Sequence, residues 1–252
     1  MFARIREMMS QRLDRENLYS TASYWDHKAL AYNDDAVSMW PNNALNFLYS
    51  NEVYALNERL LDNVHDLKLL DIGCGTGRFS RWFAQKGAFV TGIDFSAGAL
   101  GIAEKQSSGN NPQYRQASVF ELDEKNVYDV AFVWGVLAIA CRDKNQLLQA
   151  LAEIRATLKP DGILLLTEPI HKGFLHRVLD MDLTSFLDVV REAGFEVKYM
   201  TPLHFWPARL FLAFIPWPKS ITVLIYYFGQ LMMKIPGFSK LGDYWGILAS
   251  PV

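Results

Sequence analysis

The sequence predicts an α/β fold of the doubly wound class, with a mostly parallel sheet and helices on both of its faces. From about residue 65 onward, short apolar segments alternate with segments of helical periodicity. Strands that alternate with helices in this way favour a parallel sheet. A glycine-rich loop follows the first apolar segment, and Asp94 ends the second. Both features stand at the carboxyl ends of strands, where such sheets bind their ligands.

Composition supports a folded domain and excludes several classes of function. The 252 residues are 50% hydrophobic and 21% charged, which is enough for a large core. The net charge of −2 gives no support to a nucleic-acid partner. The two cysteines, Cys74 and Cys141, form no disulfide framework and no zinc-spaced cluster, so no metal is predicted. The N-terminus lacks the apolar run of a signal peptide, and we expect a cytoplasmic protein.

The alternation predicts a succession of strands with helices between them. Predicted strands cover residues 68–72, 88–93, 113–117, 128–133, 163–167, 195–200 and 243–249. Predicted helices cover residues 78–86, 96–106, 145–158 and 183–193. The run Pro160-Asp161-Gly162 is expected to stop the third of these helices. Residues 65–252 are therefore predicted to form the main α/β domain.

Residues 1–64 are predicted to form an N-terminal helical region that acts as a lid or cap. The apolar positions in 1–17 have helical spacing and predict an amphipathic helix. Pro41 precedes a second predicted helix over 43–61. The amphipathic helix is interpreted either as packing on the domain or as a lid or interfacial anchor.

The segment 203–242 breaks the alternation and is predicted to be an aromatic insert before the last strand. Its longest stretch without a charge, 220–233, is shorter than the about 20 residues that a spanning helix needs. One interpretation is a core extension or a homodimer interface, and another is a cap that lines an apolar acceptor pocket. A third is peripheral membrane contact through its aromatic residues and lysines. The last two interpretations predict a lipophilic acceptor.

The glycine loop Asp71-Ile72-Gly73-Cys74-Gly75-Thr76-Gly77 lies between the first predicted strand and a predicted helix. Glycines permit a tight turn and a close approach to a ligand. A loop of this kind can bind a dinucleotide at the N-terminus of the helix. Here the third glycine comes two residues after the second, so the dinucleotide pattern G-x-G-x-x-G is not met. A purely structural glycine turn is the alternative.

Asp94 stands 17 residues after Gly77, at the end of the second predicted strand. A carboxylate at this position can accept hydrogen bonds from both ribose hydroxyls of an adenosine cofactor. The alternative is an ordinary helix-capping aspartate, although Ser96 is better placed for that role. The loop and Asp94 together predict a site for a cofactor that carries adenosine.

Four segments in order resemble motifs of the class I methyltransferases that use S-adenosylmethionine (SAM), in particular the small-molecule enzymes similar to methyltransferase type 11. They are residues 69–77, 92–96, 128–134 and 158–165, and the resemblance covers about residues 65–200. It implies a Rossmann-like sheet of seven strands, the last antiparallel. It also implies methyl transfer from SAM to an O or N atom of a small acceptor. The chain has no Asn/Asp-Pro-Pro-Tyr run, so a nucleobase amine is not the expected acceptor.

The resemblance implies that SAM is bound at the carboxyl ends of the first four strands. Gly73 and Gly75 would line the methionine and ribose, and Asp71 would orient the loop or meet the amino group. Asp94 would hold the ribose hydroxyls. Further cofactor contacts are expected from Cys74, Gly77, Phe95, Ser118, Val119, Phe120 and Trp134. Ser118 stands where the family often has an acid that bonds the adenine amine.

The N-terminal stretch 24–32 resembles the lid of small-molecule methyltransferases. Tyr24 and Tyr32 are its leading candidates for contact with the cofactor. An aromatic ring near the sulfonium would attract it through a cation–π interaction. The alternative is that these rings only pack the segment onto the core.

Three histidines are candidates for a general base, which is needed only if the acceptor is protonated at the working pH. His171 follows the fifth predicted strand, His204 follows the sixth, and His27 lies in the lid. Each is alternatively a structural residue, and Glu168 is interpreted as a cap or a partner of a neighbouring group. For the chain as a whole, the alternatives are a non-catalytic SAM-binding scaffold and a NAD-dependent oxidoreductase.

Overall fold

The fold is built on one seven-stranded sheet, seen in a computed structural model that describes residues 13–35 and 41–252. The strands lie in the order β3-β2-β1-β4-β5-β7-β6, and β7 runs antiparallel to both of its neighbours. They are β1 (Lys68–Ile72), β2 (Phe89–Asp94), β3 (Gln113–Gln116), β4 (Tyr128–Trp134), β5 (Leu158–Glu168), β6 (Phe195–Phe205) and β7 (Gly242–Pro251). The predicted fold class, a doubly wound sheet with an antiparallel last strand, is confirmed.

Helices precede the sheet, connect its strands and fill the connection between β6 and β7. They are α1 (Arg15–Tyr19), α2 (Ala22–Tyr32), α3 (Asn43–Leu60), α4 (Arg78–Gln85), α5 (Ala97–Gln106), α6 (Leu137–Ala140), α7 (Lys144–Thr157), α8 (Leu183–Glu192), α9 (Trp206–Leu212) and α10 (Lys219–Met233). Short 3₁₀ turns cover Asn33–Asp35, Gly173–Leu175 and Ser239–Leu241. Residues 1–12 of the predicted amphipathic helix lie outside the described residues.

Side-chain caps explain where several helices begin. Asn42, Ser96, Asp143 and Asp182 each accept a hydrogen bond from a backbone N–H in the first turn of the helix that follows. Such caps satisfy N–H groups that have no partner within the helix. Ser96 is confirmed as the cap of α5. Asp94 is not the cap of this helix, so its carboxylate can serve another role.

The core lies on both faces of the central strands. β1, β4 and β5 are buried almost throughout, as expected for parallel strands covered on both sides. One apolar cluster joins the sheet to α7 and α8, and a second joins the opposite face to α3 and α4. The carboxyl ends of β1, β2 and β4 therefore meet at one rigid edge of the sheet.

The predicted stop at Pro160-Asp161-Gly162 is wrong. Helix α7 ends at Thr157, and β5 begins at Leu158 and includes this run. The register with β4 shifts between the pairs Tyr128–Leu158 and Val130–Ile163, so residues 159–162 are outside the regular ladder. Proline and glycine are tolerated in a strand at such an irregularity.

The sixth strand also continues past its predicted end at residue 200. It pairs with β7 from Phe195 through Phe205, and Pro202 lies within it. Because β6 is an edge strand, a proline without an N–H does not interrupt a ladder with a second neighbour. The connection to β7 consequently begins at residue 206 and not at 203.

The connection between β6 and β7 forms two helices that pack on α3. An apolar cluster joins α9 and α10 to the first half of α3, with Leu45, Tyr49, Leu212 and Tyr226 among its buried members. Part of the predicted insert therefore belongs to the core. Among the residues that the structure describes, no helix is long and apolar enough to cross a membrane.

Candidate cofactor site

The loop between β1 and α4 requires glycine at its first two glycine positions. Gly73 and Gly75 have φ values of 67° and 54°, in the left-handed region that favours glycine. A Cβ atom on Gly73 would lie 2.3 Å from the Val136 side chain. A Cβ on Gly75 would meet nothing within 4 Å, so this backbone faces open space where a ligand can approach closely.

Gly77 also has a positive φ, 78°, and it has a further reason for being glycine. A Cβ at this position would lie 2.2 Å from the hydroxyl oxygen of Tyr114 in β3. The same tyrosine ring lies against Gly92 of β2. The third glycine of the loop therefore allows close packing against the sheet, and the geometry gives it no direct contact with a ligand.

Asp94 holds the glycine loop to the end of β2. Its carboxylate accepts the N–H of Gly75 at 2.9 Å and the N–H of Ser96 at 2.8 Å. Burial raises the pKa of Asp94, although these backbone hydrogen bonds oppose the shift. The sequence analysis placed this carboxylate beside the loop, and the structure brings the two together.

Asp71 lies beneath the loop and is almost fully buried. Its carboxylate accepts a hydrogen bond from the Ser80 hydroxyl of α4 at 2.5 Å. Burial raises the pKa of Asp71 to about 7, against the opposing effect of that hydrogen bond. Asp71 thus ties the start of the loop to α4, and its carboxyl group titrates near neutral pH.

A small cavity of about 40 Å³ adjoins the loop. Most of the glycine loop lines it, together with Trp134 at the end of β4. Its other lining residues are Asn33, Asp34, Arg78, Phe79 and Phe132. The indole N–H of Trp134 is buried and has no hydrogen-bond partner among the described residues. The cavity therefore combines a glycine backbone, two carboxylates and an unused donor.

The residues predicted to meet adenine lie beyond Asp94 and β3. Phe95 is partly exposed, whereas Val119 is buried in the main core cluster and Phe120 packs against that cluster. The Ser118 hydroxyl accepts a hydrogen bond from the Phe120 N–H at 3.3 Å. Ser118 is only half-buried, so its hydroxyl remains accessible at this edge.

Two aspartates that the sequence analysis missed fix the N-terminal segment onto this site. Asp34 accepts a hydrogen bond from the Thr76 hydroxyl of the glycine loop. Both of its carboxylate oxygens also accept hydrogen bonds from Nη2 of Arg81, so the two side chains form an ion pair. Asp26 of α2 accepts hydrogen bonds from the Ser96 hydroxyl and the Gly98 N–H at the start of α5. Neither has a periodic or motif signal, because each partner lies more than 40 residues away in sequence.

The tyrosines predicted to act in the lid do not line the cavity beside the loop. Tyr24 packs on Tyr19 and Trp25, and the Lys28 ammonium lies 5.2 Å from its ring and 5.4 Å from that of Tyr32. Asn33 and Asp34, which directly follow α2, line the cavity instead. The N-terminal segment lies beside the glycine loop, but the polar residues after α2 line the cavity and the two tyrosines do not.

His171 is a candidate base with a carboxylate partner, and unlike His204 it is not fully buried. Its Nε2 lies 3.0 Å from the buried carboxylate of Asp243 at the start of β7. Arg209 and Arg177 approach the same carboxylate at 2.7 and 3.6 Å. Burial opposes ionisation of Asp243, but the arginines and His171 hold its pKa well below the usual range.

His204 is fully buried and belongs to a different cluster. Its Nδ1 lies 2.8 Å from Glu52 of α3, which also accepts hydrogen bonds from Tyr226 and Gln230 of α10. Burial opposes ionisation of Glu52, but His204 and these hydrogen bonds lower its pKa overall. The ring of Tyr49 stacks on that of His204 at 3.8 Å. His27, the third candidate, is exposed on α2.

Glu168 connects the ends of β4 and β5. Its buried carboxylate accepts the N–H groups of Val136, Leu137 and Ala138 at 2.9 to 3.0 Å. The interpretation of Glu168 as a capping residue is thereby confirmed at the start of α6. Burial raises its pKa to about 7, although the three N–H groups oppose the shift. Glu168 binds the backbone of Val136, and the Val136 side chain lies against Gly73. Glu168 therefore indirectly holds in place a residue that packs on the glycine loop.

A larger groove of about 460 Å³ lies beside the loop cavity. The two share Asp34 and Arg78, so they are neighbours. Residues of α3 and α4 line the groove, among them the aromatic side chains of Phe47, Tyr54 and Trp82. Its remaining lining is polar: Asn43, Ser50, Asn51, Arg81 and Gln85.

Comparison with known proteins agrees with the predicted fold. Residues 69–162 match the family model described as a methyltransferase domain. A ubiquinone biosynthesis O-methyltransferase of Pseudomonas fluorescens (strain Pf0-1) is 33% identical over 105 residues, which are 40% of this chain and 45% of that protein. The chain therefore spans less than half the length of this relative.

Two solved structures share the fold. The SAM-dependent methyltransferase from Mesorhizobium loti is 18% identical, with a TM-score of 0.59 over 78% of this chain and 96% of that one. The magnesium protoporphyrin IX methyltransferase from Synechocystis PCC 6803, solved with bound S-adenosylhomocysteine (SAH), is 17% identical, with a TM-score of 0.57 over 83% of this chain and 86% of that one. At this level of identity the two structures show a shared fold, and residues 69–162 carry the match to the methyltransferase domain.

Proposed function

We propose that this chain transfers the methyl group of SAM to an O or N atom of a small, lipophilic acceptor. The observation that carries the proposal is the pairing of the open glycine backbone at Gly75 with the Asp94 carboxylate that binds it. This pair supplies a close backbone approach and an acceptor for hydroxyl groups at one sheet edge. The named relatives act through SAM, which supports the same cofactor here.

The carboxyl groups beside the loop suit the positive charge of the proposed cofactor. SAM carries a positive sulfonium and an ammonium, and the loop cavity contains the carboxyl groups of Asp71 and Asp34. In the proposed arrangement, Gly73 and Gly75 line the methionine and ribose, and Asp94 holds the ribose hydroxyls. Trp134 lines the same cavity, and its buried indole N–H has no hydrogen-bond partner among the described residues. SAM supplies an already activated methyl group.

The chain's own contribution to the reaction is to place the acceptor in line with that methyl group. Orientation of this kind can supply a large share of a rate enhancement. The groove beside the loop has aromatic residues on part of its wall and polar residues on the rest, which suits a small acceptor with an apolar body and one polar group. Its position next to the loop cavity supports its assignment as the acceptor site.

His171 is the proposed general base for acceptors that are protonated. It follows β5, the neighbour of the strand that carries Trp134, and the buried Asp243 carboxylate orients its ring. Such a carboxylate also stabilises the imidazolium that forms when the ring takes a proton. His204 is fully buried and bound to Glu52, which favours a structural role for it.

The test is methyl transfer from SAM to a panel of lipophilic phenols and amines, measured as SAH formed. We expect turnover with at least one acceptor class, and a loss of about 10²- to 10⁴-fold in kcat in His171→Ala with unchanged SAM affinity. The controls are His27→Ala and the exposed His65→Ala. SAM binding without transfer to any acceptor would contradict catalysis, and full activity of His171→Ala would remove its assigned role.

A further inference from the structure

The outer side of α10 and of the turn after it is apolar and exposed. Leu224, Tyr227, Phe228 and Leu231 are between 59% and 72% exposed. Ile235 and Phe238 continue the row beyond the end of the helix. We call these six residues the apolar face. They follow one another at intervals of one to four residues, which places them along one side of the helix and its extension.

The opposite side of α10 accounts for the stability of the helix. Thr222, Tyr226, Gly229 and Met233 are buried against the rest of the molecule. Tyr226 also donates a hydrogen bond to Glu52, so it faces inward. Among the described residues, the apolar face is therefore not part of the packing that holds α10. Single exposed apolar residues are normal, but a contiguous row of six marks an interaction surface.

The charged residues flanking the apolar face in the sequence all have the same sign. Lys219 is the first residue of α10, Lys234 and Lys240 follow the helix, and all three are exposed. The sequence has no acidic residue between Glu196 and Asp243, and Asp243 itself is buried. The surface thus combines apolar side chains with positive charge at both ends.

We propose that the apolar face and the three lysines dock the protein onto a membrane surface that contains anionic lipids. A 15-residue helix is about 22 Å long, too short for the roughly 30 Å of a bilayer core. An exposed apolar side with flanking lysines is instead typical of a helix that lies in the plane of the interface. Negative headgroups complement lysines at both ends of such a helix.

The charge pattern favours a lipid surface over a second copy of the chain. If two α10 helices paired through their apolar faces, lysines would meet lysines at both ends in either a parallel or an antiparallel arrangement. No acidic side chain within residues 197–242 could neutralise them. Anionic lipids remove this repulsion. Docking would also bring the α/β domain close to lipophilic molecules, but the proposal does not depend on methyl transfer.

The test is cosedimentation of the full chain with vesicles of phosphatidylcholine, alone or mixed with phosphatidylglycerol. We expect binding to the mixed vesicles that weakens as salt is raised, since salt screens the lysines. Replacing Leu224, Phe228 and Leu231 together by Ser should reduce the partition coefficient at least ten-fold. Replacing Lys219, Lys234 and Lys240 by Gln should reduce it by about five-fold per lysine.

The matched controls are Phe89→Ser and Lys105→Gln, which alter exposed side chains elsewhere on the surface. Thermal unfolding and SAH titration verify that each variant is folded. Failure of the wild-type chain to bind mixed vesicles would overturn the proposal, as would equal binding by the triple serine variant. A concentration-dependent dimer that this variant abolishes, without any vesicle binding, would assign the surface to a second copy.

Discussion

The two halves of the sheet hold their polar residues in different ways. In the cofactor half, which comprises β1 to β3 and their loops, Asp71 and Asp94 act mainly on backbone and hydroxyl groups nearby in sequence. In the insert half, which comprises β5 to β7 and residues 206–241, buried ion pairs join separate segments, such as Arg209 with Asp243. The cofactor half presents open backbone to a ligand, whereas the insert half uses its charges to fix helices to the sheet.

Removal of the Asp94 carboxylate should have the largest effect. Asp94→Ala removes the acceptor proposed for two ribose hydroxyls and also releases the Gly75 N–H. Two hydrogen bonds to a charged group contribute about 1.5–3 kcal/mol each, so the affinity for SAH should fall by about 10²- to 10⁴-fold. Calorimetric titration checks this, with Asp123→Ala as the control because Asp123 is 92% exposed. Unchanged affinity would remove Asp94 from the site.

Loss of Glu52 should affect the fold and not the cofactor. Glu52→Ala leaves His204, Tyr226 and Gln230 without their shared acceptor inside the protein. A buried polar group left without its partner costs about 1–3 kcal/mol, and we expect the free energy of unfolding to fall by at least that amount. Denaturant unfolding measures it, with the more exposed Glu58→Ala as the control. A large loss of SAH affinity in the folded variant would contradict the separation of the two halves.

The same variant should change the pH dependence of stability. The folded pKa of Glu52 lies below its ordinary value of 4.5, so its contribution is present above that pH and is lost as the pH falls further. Glu52→Ala should therefore show a smaller loss of unfolding free energy than the wild type when both are acidified below about pH 4.5. Equal losses in the two proteins would mean that Glu52 is not ionised in the folded state.

Alanine substitutions at Gly73 and Gly75 should separate an effect on folding from an effect on cofactor binding. Alanine at either position costs roughly 1–2 kcal/mol because φ is positive. Gly73→Ala should lower the free energy of unfolding further because its Cβ meets Val136. Gly75→Ala should instead weaken SAH binding because its Cβ enters open space beside the ligand. Gly101→Ala, in an open helical position, is the control and should be neutral or stabilising.

The smallest expected effect is proton release when SAM binds. The pKa of Asp71 is about 7, and a nearby cation favours its ionised form. At pH 7, SAM binding should therefore release up to about half a proton, and Asp71→Asn should abolish this release. Titrations in buffers of different ionisation enthalpy measure it. Proton uptake on binding would contradict the assignment of the ammonium or sulfonium to this cavity.

The cofactor half could be predicted from the sequence because its determinants are local. A buried strand, three closely spaced glycines and a carboxylate at the next strand end each leave a short pattern, and the structure joins Gly75 to Asp94 as those patterns imply. Gly77 shows the limit of the pattern. Besides its positive φ, it has the Tyr114 ring of β3 against it, a contact that no loop motif indicates.

The insert half could not be predicted in the same way because its contacts join residues far apart in the chain. Glu52 and His204 are 152 positions apart, and His171 and Asp243 are 72 apart. Their side chains carry no periodicity that would connect them before the fold is known. The strand ends at 158 and 205 were missed for a related reason, since proline and glycine were interpreted as breaks where the sheet tolerates them.

Calorimetric titration of the intact chain with SAM tests the central claim most directly, because the claim is that the loop around Gly75 and the Asp94 carboxylate together hold this cofactor. We predict saturable binding at one site per chain, with SAH competing for it and NADH leaving it unaffected. A folded chain that gives no binding heat with SAM or SAH, or that binds NADH in their place, would contradict the account.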